Sequence, residues 1–364
     1  MTADKSRFDA LFLGAGPQMQ CGVGQFTRLL EAAVDSLAPG TCAALTLTAS
    51  EPRWSELWRA IGDADAVICN FPIVAWKRVI LKPLAAVAMA RLRRRRVILV
   101  QHEWASLHHL RRLTYLPALL MANVIVMFSP LVRRELAEDP IAGWFARKCV
   151  LAPLPPNIEA PAVVADSDLR RRLADARAEG RLVIGHFGSI YPGKQPEAVL
   201  EIAALLKQRG LKPVAVYIGS FIRALDNVEA IFKARVMQLG LQDDVVVTGF
   251  IASDDEVFGL FQEVDVFCYV LGEGLTARRS SILAVAQSGR PVVVTDAIDP
   301  AEFDHHLRFK ALMDDGAIIR VPRGASDADY ADAVVAAAGR PSSARTFDFR
   351  GWWQDVAQVI RAQF

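Results

Sequence analysis

The chain of 364 residues is defined first by what it lacks. No run of about 18 apolar residues occurs, so no stretch reads as a membrane-spanning helix. The opening MTADKSRFDALFLGAG has too short an apolar run for a secretory signal, and that run leads straight into a glycine loop. The five cysteines (Cys21, Cys42, Cys69, Cys149, Cys268) show no CxxC spacing. Cys69 and Cys268 sit inside apolar strand-like runs, which excludes a disulfide framework and reads as reduced core thiols of a cytoplasmic protein. Lys and Arg number 42 against 40 Asp and Glu, a net charge of +2, so the general basic excess of a nucleic-acid binder is missing and no nucleic-acid partner is assigned. No metal-ligand cluster is legible, and no carboxylate pair of the DxD type follows a strand; Asp314-Asp315 follows a helix-like segment. We therefore assign neither a metal nor a cofactor. Disordered composition and repeats at a fixed short period are also absent.

What remains is a globular composition in which strand-like runs alternate with helical patterns from start to finish. That alternation argues for parallel sheets covered by helices. The length exceeds what one core usually supports, so two domains are expected. The proline-rich stretch PLPPNIEAPAVV, without periodicity, marks the break. The expected organisation is a first domain over 1–153, a linker over 154–165, a second domain over 166–345 and a terminal helix over 346–364. Strands are expected near Ala10–Gly14, Ala43–Leu47, Ala66–Cys69, Val97–Gln101 and Val124–Phe128 in the first half. In the second half they fall near Leu182–Phe187, Val214–Ile218, Val245–Thr248, Val266–Val270 and Val292–Val294.

The most informative stretch is 264–296. An apolar strand ends in the turn Leu271-Gly272-Glu273-Gly274, followed by Leu275, Thr276, Arg278, Arg279, Ser280 and Ser281. A helix is expected to start there, capped by Ser280 or Ser281, and to stop at Gly289 before Pro291. Glycines, hydroxyls and two arginines thus fall where a helix dipole points at a ligand, a pattern suited to phosphate. The competing reading is an ordinary crossover with solvated arginines. Successive helix residues point about 100° apart, so both arginines are not expected to reach one phosphate unless the loop is still extended there. Arg279 should lie nearest the helix end, with Arg278 helping or facing solvent; a salt bridge to an acid such as Asp299 is the alternative.

Other signals are weaker alone. Gly188-Ser189-Ile190-Tyr191-Pro192-Gly193-Lys194 follows a strand and matches GxxxxGK, but Gln195 stands where a P-loop needs a magnesium-binding hydroxyl. A lysine delivered by that glycine turn remains a phosphate contact, and as a loop residue at a ligand mouth it is not expected to be core. Near the start, Gly14-Ala15-Gly16 has Met19 where a dinucleotide fingerprint has its third glycine. Gly22 and Gly24, placed before a helix from about Gln25 to Ser36, instead offer close backbone approach. His102 directly follows a strand, where α/β sheets bind ligands; a structural role is the alternative. Thr248-Gly249-Phe250-Ile251 also follows a strand and can present backbone groups to a planar ring. Residues 79–95, with Lys77, Arg78, Lys82, Arg91, Arg93 to Arg96, Arg111 and Arg112, form a basic, partly amphipathic surface. It reads either as a solvated helix end or as a contact with an anionic membrane.

In this order, the strings GVGQFTRLL (22–30), VQHEW (100–104), FGSIYPGK (187–194), VVVTGFI (245–251), VDVFCYVLGEG (264–274) and SGRPVV (288–293) resemble the family 4 glycosyltransferases. The resemblance implies a GT-B fold: two Rossmann-like domains with parallel sheets facing a central cleft, and a C-terminal helix that can cross back to the first domain. It implies a retaining, metal-independent transferase that moves a sugar from a nucleotide-sugar donor to a glycan, lipid-linked or small-molecule acceptor. The place would be the cytoplasm or, peripherally, the inner membrane face. By the same resemblance Lys194 contacts the donor diphosphate, with Gly22 and Gly24 beside it. His102 lies near the transferred sugar, Phe250 and Ile251 beside the nucleobase, and Glu273 and Gly274 begin the sugar-binding loop. Two departures stand out. Ser189 occupies a position where the family usually has an arginine, and Ala284 one where a glutamate grips the donor ribose. The segment Thr276–Ser281 is similar to a branch with a GxSxRRxS-type loop, in which Arg278 or Arg279 would supply the missing cation. A catalytically silent sugar-nucleotide-binding protein, or a nucleotide-sugar epimerase or hydrolase of the same fold, is the alternative.

Overall fold

A computed structural model describes residues 8–15, 22–73, 76, 79–222, 227–340 and 347–364. The chain divides into two compact units, residues 1–157 with 348–364, and residues 158–347. Gly16, Met19, Cys21, Lys77 and Arg78, which entered the sequence reading, lie outside the described residues.

In unit 1, strands and helices alternate as β1 (Phe8–Gly14), α1 (Gly22–Leu37), β2 (Cys42–Thr46), α2 (Trp54–Gly62), β3 (Ala64–Phe71) and α3 (Leu81–Leu92). They continue as β4 (Arg96–Gln101), α4 (His109–Met121), β5 (Val124–Met127), α5 (Pro130–Ala137) and β6 (Cys149–Leu151). The strands form one parallel sheet in the order β2-β1-β3-β4-β5-β6. Because side chains alternate across a strand, each strand serves both faces. Leu11, Val67, Cys69, Val97, Leu99 and Ile125 bury against α2, α3, α4 and α5. Their neighbours Phe12, Ile68, Ile98 and Val126 bury against α1 and the chain's last helix. That near-continuous apolar strand pattern is what a parallel sheet covered on both faces requires.

Unit 2 repeats the plan with α6 (Asp168–Ala178), β7 (Leu182–Phe187), α7 (Pro196–Gln208), β8 (Pro213–Ile218), α8 (Val228–Gln238), β9 (Val245–Val247) and α9 (Asp254–Gln262). It continues with β10 (Val266–Tyr269), α10 (Ser280–Ala286), β11 (Val292–Thr295), α11 (Leu307–Asp314), β12 (Ile318–Val321) and α12 (Asp327–Ala338). Its parallel sheet runs β12-β11-β10-β7-β8-β9. The last helix, α13 (Phe349–Arg361), belongs to unit 1. There Trp353 packs on Phe26 of α1, its indole N–H donates to the Pro156 carbonyl at 3.1 Å, and Arg361 pairs with Asp9 at 3.0 Å.

Several local expectations shift. α1 begins at Gly22, so Gly22 and Gly24 form its first turn and not a loop ahead of it. α10 begins at Ser280 after Arg279, whose side chain makes no cap; Ser280 and Ser281 are therefore the first helical residues and not its caps. Its far end comes earlier than expected: α10 stops at Ala286, and Gly289, at φ +73°, closes the turn that follows before Pro291. Of the basic surface, Lys82 is buried, Arg93 donates to the Trp58 carbonyl at 3.1 Å, and Arg112 pairs with Asp139 at 3.2 Å. Among the described residues, no helix is long and apolar enough to cross a membrane.

Candidate functional site

Strand order locates the site. In unit 2 the chain winds outward from β7 to β9 on one side and from β10 to β12 on the other. The direction of winding reverses between the paired neighbours β7 and β10. A parallel sheet opens a crevice beyond the carboxyl ends of such strands, because the following loops diverge. Those two loops carry Gly188 to Lys194 and Leu271 to Arg279.

The loop after β7 passes very close to the next one. A side chain on Gly219, which follows β8, would meet the Gly188 carbonyl oxygen at 2.2 Å, so only glycine fits. Pro192–Lys194 then makes a 3-10 turn, and Gln195 enters the left-handed region (φ 44°) before Pro196 starts α7. This folds Lys194 back under the loop. Contrary to the expectation that this loop lysine is not core, it is only 6% exposed. A Cβ on Gly188 would come within 2.7 Å of the Lys194 ammonium nitrogen. That ammonium makes no hydrogen bond or ion pair among the described residues; its neighbour is the Tyr191 ring, 5.7 Å away. Burial, and after it the charge of Arg279, pushes the Lys194 pKa down from its ordinary 10.5 to about 7. Nearby in β7 lies His186, which no sequence signal marked out of its apolar run. It is fully buried, its Nε2 has no partner, and burial first, with Lys194 next, pushes its pKa to about 3. It is a neutral ring in the floor.

The loop after β10 is pinned to the end of β11. Leu271 N–H donates to Thr295 Oγ1 at 2.8 Å and Leu275 N–H to the Thr295 carbonyl at 3.0 Å. Between them a tight turn uses Gly274 at φ +71°, where a Cβ would strike the Asp296 carbonyl. The result is a rigid platform that buries Gly274, Leu275 and Thr276, the last with an unpartnered hydroxyl. From it both arginines converge on one acid. Arg278 donates from one nitrogen to both Glu273 oxygens at 3.0 and 3.1 Å, and Arg279 pairs with Glu273 Oε1 as well. Both arginines precede α10 and are not helical, which is the condition under which the two were expected to be able to converge. The acid is Glu273, and not Asp299. Arg279 is 8% exposed and also donates to the Tyr191 hydroxyl at 3.3 Å. Tyr191 therefore ties the two loops together, a role its place inside FGSIYPGK did not reveal.

The remaining candidates sit as follows. Gly188 adjoins Ser281, whose Cβ lies 3.6 Å from the position a Gly188 side chain would take; Ser280 and Ser281 are both partly buried. Ser189 is exposed, and Ala284 is fully buried. Thr248 Oγ1 accepts from Gly219 N–H at 3.1 Å, which brings the loop after β9 to the same crevice, with Phe250 54% exposed and Ile251 half-buried. In unit 1, His102 follows β4; its ring contacts Phe26 and Phe128, and its Nε2 lies 3.2 Å from Asn70 Oδ1. Gly22 is exposed and Gly24 half-buried. Among the described residues, no three His, Cys, Asp or Glu side chains converge.

Chemically, unit 2 holds a buried ammonium without a counter-ion among the described residues and two guanidinium groups sharing one carboxylate. That set is chemically suited to a multiply charged anion with oxygen acceptors, as a diphosphate is.

Residues 181–339 match the family model described as glycosyl transferases group 1. No curated protein matches the chain at a significant level. Among solved structures, Anabaena Alr3699/HepE in complex with UDP is 14% identical, covering 98% of this chain and 95% of that one, with a TM-score of 0.59. The same protein in complex with UDP-glucose gives 14% identity and a TM-score of 0.56. A glycosyltransferase from Rickettsia africae ESF-5 is 12% identical over 98% of this chain and 93% of that one, with a TM-score of 0.58. At these identities the likeness is one of fold, and the fold is GT-B.

Proposed function

We propose, from the premise that residues 181–339 are a glycosyl transferases group 1 domain, that this glycosyltransferase uses a nucleotide-sugar donor and transfers with retention and without a metal. The acceptor class is a glycan, a lipid-linked sugar or a small molecule, and the working place is the cytoplasm or the inner membrane face. One observation carries the donor reading: Lys194 is buried beside Arg279 with no counter-ion of its own. Burying an uncompensated cation is expensive, and a protein keeps such a charge where a ligand supplies the anion.

The chemistry follows from charge. When the bond between the sugar's anomeric carbon and the diphosphate oxygen breaks, negative charge develops on the leaving phosphate. On this reading Lys194 and the arginine pair stabilise that charge, and the burial of Lys194 and Arg279 strengthens such contacts. Complexes of the fold relative Alr3699/HepE with UDP and UDP-glucose support a uridine donor as the first to try. The test is a panel of nucleotide sugars incubated with the purified chain, read by nucleoside diphosphate release and by transfer to added glycan or lipid acceptors. Transfer that conserves the anomeric configuration supports the reading. Donor binding with neither transfer nor release would assign the silent role, and no binding by any nucleoside diphosphate would remove the reading altogether.

A further inference from the structure

The exposed large hydrophobic side chains of unit 1 are not scattered. All those described lie between Trp54 and Trp144, on α2, α3, α4 and the turn after α5, and none lies on α1 or α13. One face of the unit is thus apolar on its outside, and the opposite face is not. On α3, Leu81 (78% exposed) and Leu92 (76%) stand eleven residues apart, which brings them back to the same side of the helix with the half-exposed Ala85 and Ala88 between. On α4, which packs beside α3, Leu110, Leu113 and Leu120 face outward in the same way.

The charge of this layer is as lopsided. Residues 53–148 carry 16 Lys and Arg against 7 Asp and Glu, in a chain whose net charge is only +2, so the rest of the molecule is acidic. Two of the exposed tryptophans hold a cation of this surface over the ring, Arg93 lying 5.0 Å from Trp58 and Arg147 3.4 Å from Trp144, while the exposed Trp54 covers the buried Lys82 at 5.8 Å.

We propose that the outer surface of the α2–α5 layer docks on an anionic lipid bilayer. Indole rings, and cations on flexible stems, both favour the headgroup zone. Aliphatic side chains on either side reach the acyl boundary, and each cation near an anionic leaflet adds to the attraction. A second copy of the chain is a poor occupant, because a two-fold interface would bring this basic face against itself. Nucleic acid would leave the outward leucines in contact with water or phosphate.

The test uses the full-length chain with sedimenting vesicles, either phosphatidylcholine alone or an equal mixture with phosphatidylglycerol. Binding is expected to the mixed vesicles only, and to be lost in ~1 M salt, where charges are screened beyond about 3 Å. Leu81→Gln with Leu92→Gln, and separately Trp58→Ser with Trp144→Ser, should each weaken binding at least about tenfold, a loss of ~1.4 kcal/mol. These side chains are exposed, so nucleotide affinity and thermal midpoint should stay unchanged. The control pair Ile231→Gln with Met237→Gln, exposed on unit 2, should bind vesicles as the parent does. The proposal is overturned by equal binding to neutral vesicles, by no binding to either, or by loss in the control pair. It is equally overturned if sedimentation velocity shows self-association that the Leu81/Leu92 pair abolishes. None of these results bears on donor binding.

Discussion

The burial of Lys194 sets up a measurement that a solvent-exposed lysine would not. In the free protein its pKa is pushed to about 7, against an ordinary value of 10.5. At about pH 8 roughly nine molecules in ten would hold it neutral. A nucleoside diphosphate brings negative charge to the ammonium and raises that pKa again, so binding must take up a proton. Uptake should approach one proton per nucleotide at about pH 8 to 9, and affinity should fall about tenfold per pH unit, ~1.4 kcal/mol, above about pH 7. The nucleotide's own phosphates are already ionised there, since their last pKa lies near about 6. Titration calorimetry in buffers of different ionisation enthalpy reads the proton count directly. The sign for the free protein is opposite. The unfolded chain binds this proton more tightly than the folded one. Stability from this group therefore rises with pH between about 7 and 10.5. Lys194→Ala should abolish the uptake, flatten the pH dependence and lower turnover on the order of 10²-fold or more while the protein stays folded. A flat affinity with no proton uptake between about pH 7 and 9 would refute the argument that Lys194 is the buried cation awaiting phosphate.

Gly188→Ala places a methyl within 2.7 Å of the Lys194 ammonium at a φ of +111°, so it should cut nucleotide affinity at least about tenfold and cost ~1 kcal/mol or more of stability. Unaltered affinity would mean that the ammonium need not sit there. Either Arg278→Ala or Arg279→Ala should lose at least about tenfold in nucleoside diphosphate affinity, and Arg279→Lys should not restore it because the fork that reaches Glu273 and Tyr191 is gone. Normal affinity in both alanine variants removes the arginines from the site. Transfer should persist in excess EDTA; complete loss on chelation, restored by magnesium or manganese, overturns the metal-free reading. Trp353→Ala, which empties a buried indole site between α13 and α1, should destabilise unit 1 by about 3 to 5 kcal/mol in chemical denaturation, and a change within ~1 kcal/mol would show that α13 docks by other contacts.

Much of this architecture was legible because parallel sheets write themselves as buried apolar runs between helical segments. Leu182–Phe187 was read to the residue. The two strands that escaped, β6 and β12, explain themselves. Cys149–Leu151 is three residues long and runs into the proline-rich stretch, while Ile318–Val321 is an edge strand with the exposed Arg320 in its middle. Neither offers the length or continuity that periodicity needs. The start of α1 was misplaced for a different reason: Gly22 and Gly24 are residue types associated with loops, and here the helix begins about one turn earlier than local propensity suggests, whereas α10 starts at Ser280 as expected.

The site shows the same division more sharply. A motif names residues along the chain, and FGSIYPGK did name Lys194, but the energetics depend on what surrounds it. Burial, the missing side chain at Gly188 and the neighbouring Arg279 come from separate stretches of the chain. The shared carboxylate belongs to the same class of information. Two guanidinium groups this poorly exposed require an acceptor when no ligand is bound. The turn from Leu271 to Gly274 supplies one in Glu273, five and six residues before them. Lys194 has no equivalent. On the proposed reading, an arriving diphosphate meets one cation that is unpaired among the described residues and two that must be shared with, or taken from, Glu273. That asymmetry makes Lys194, and not the more conspicuous arginine pair, the group whose protonation should govern how tightly the anion binds.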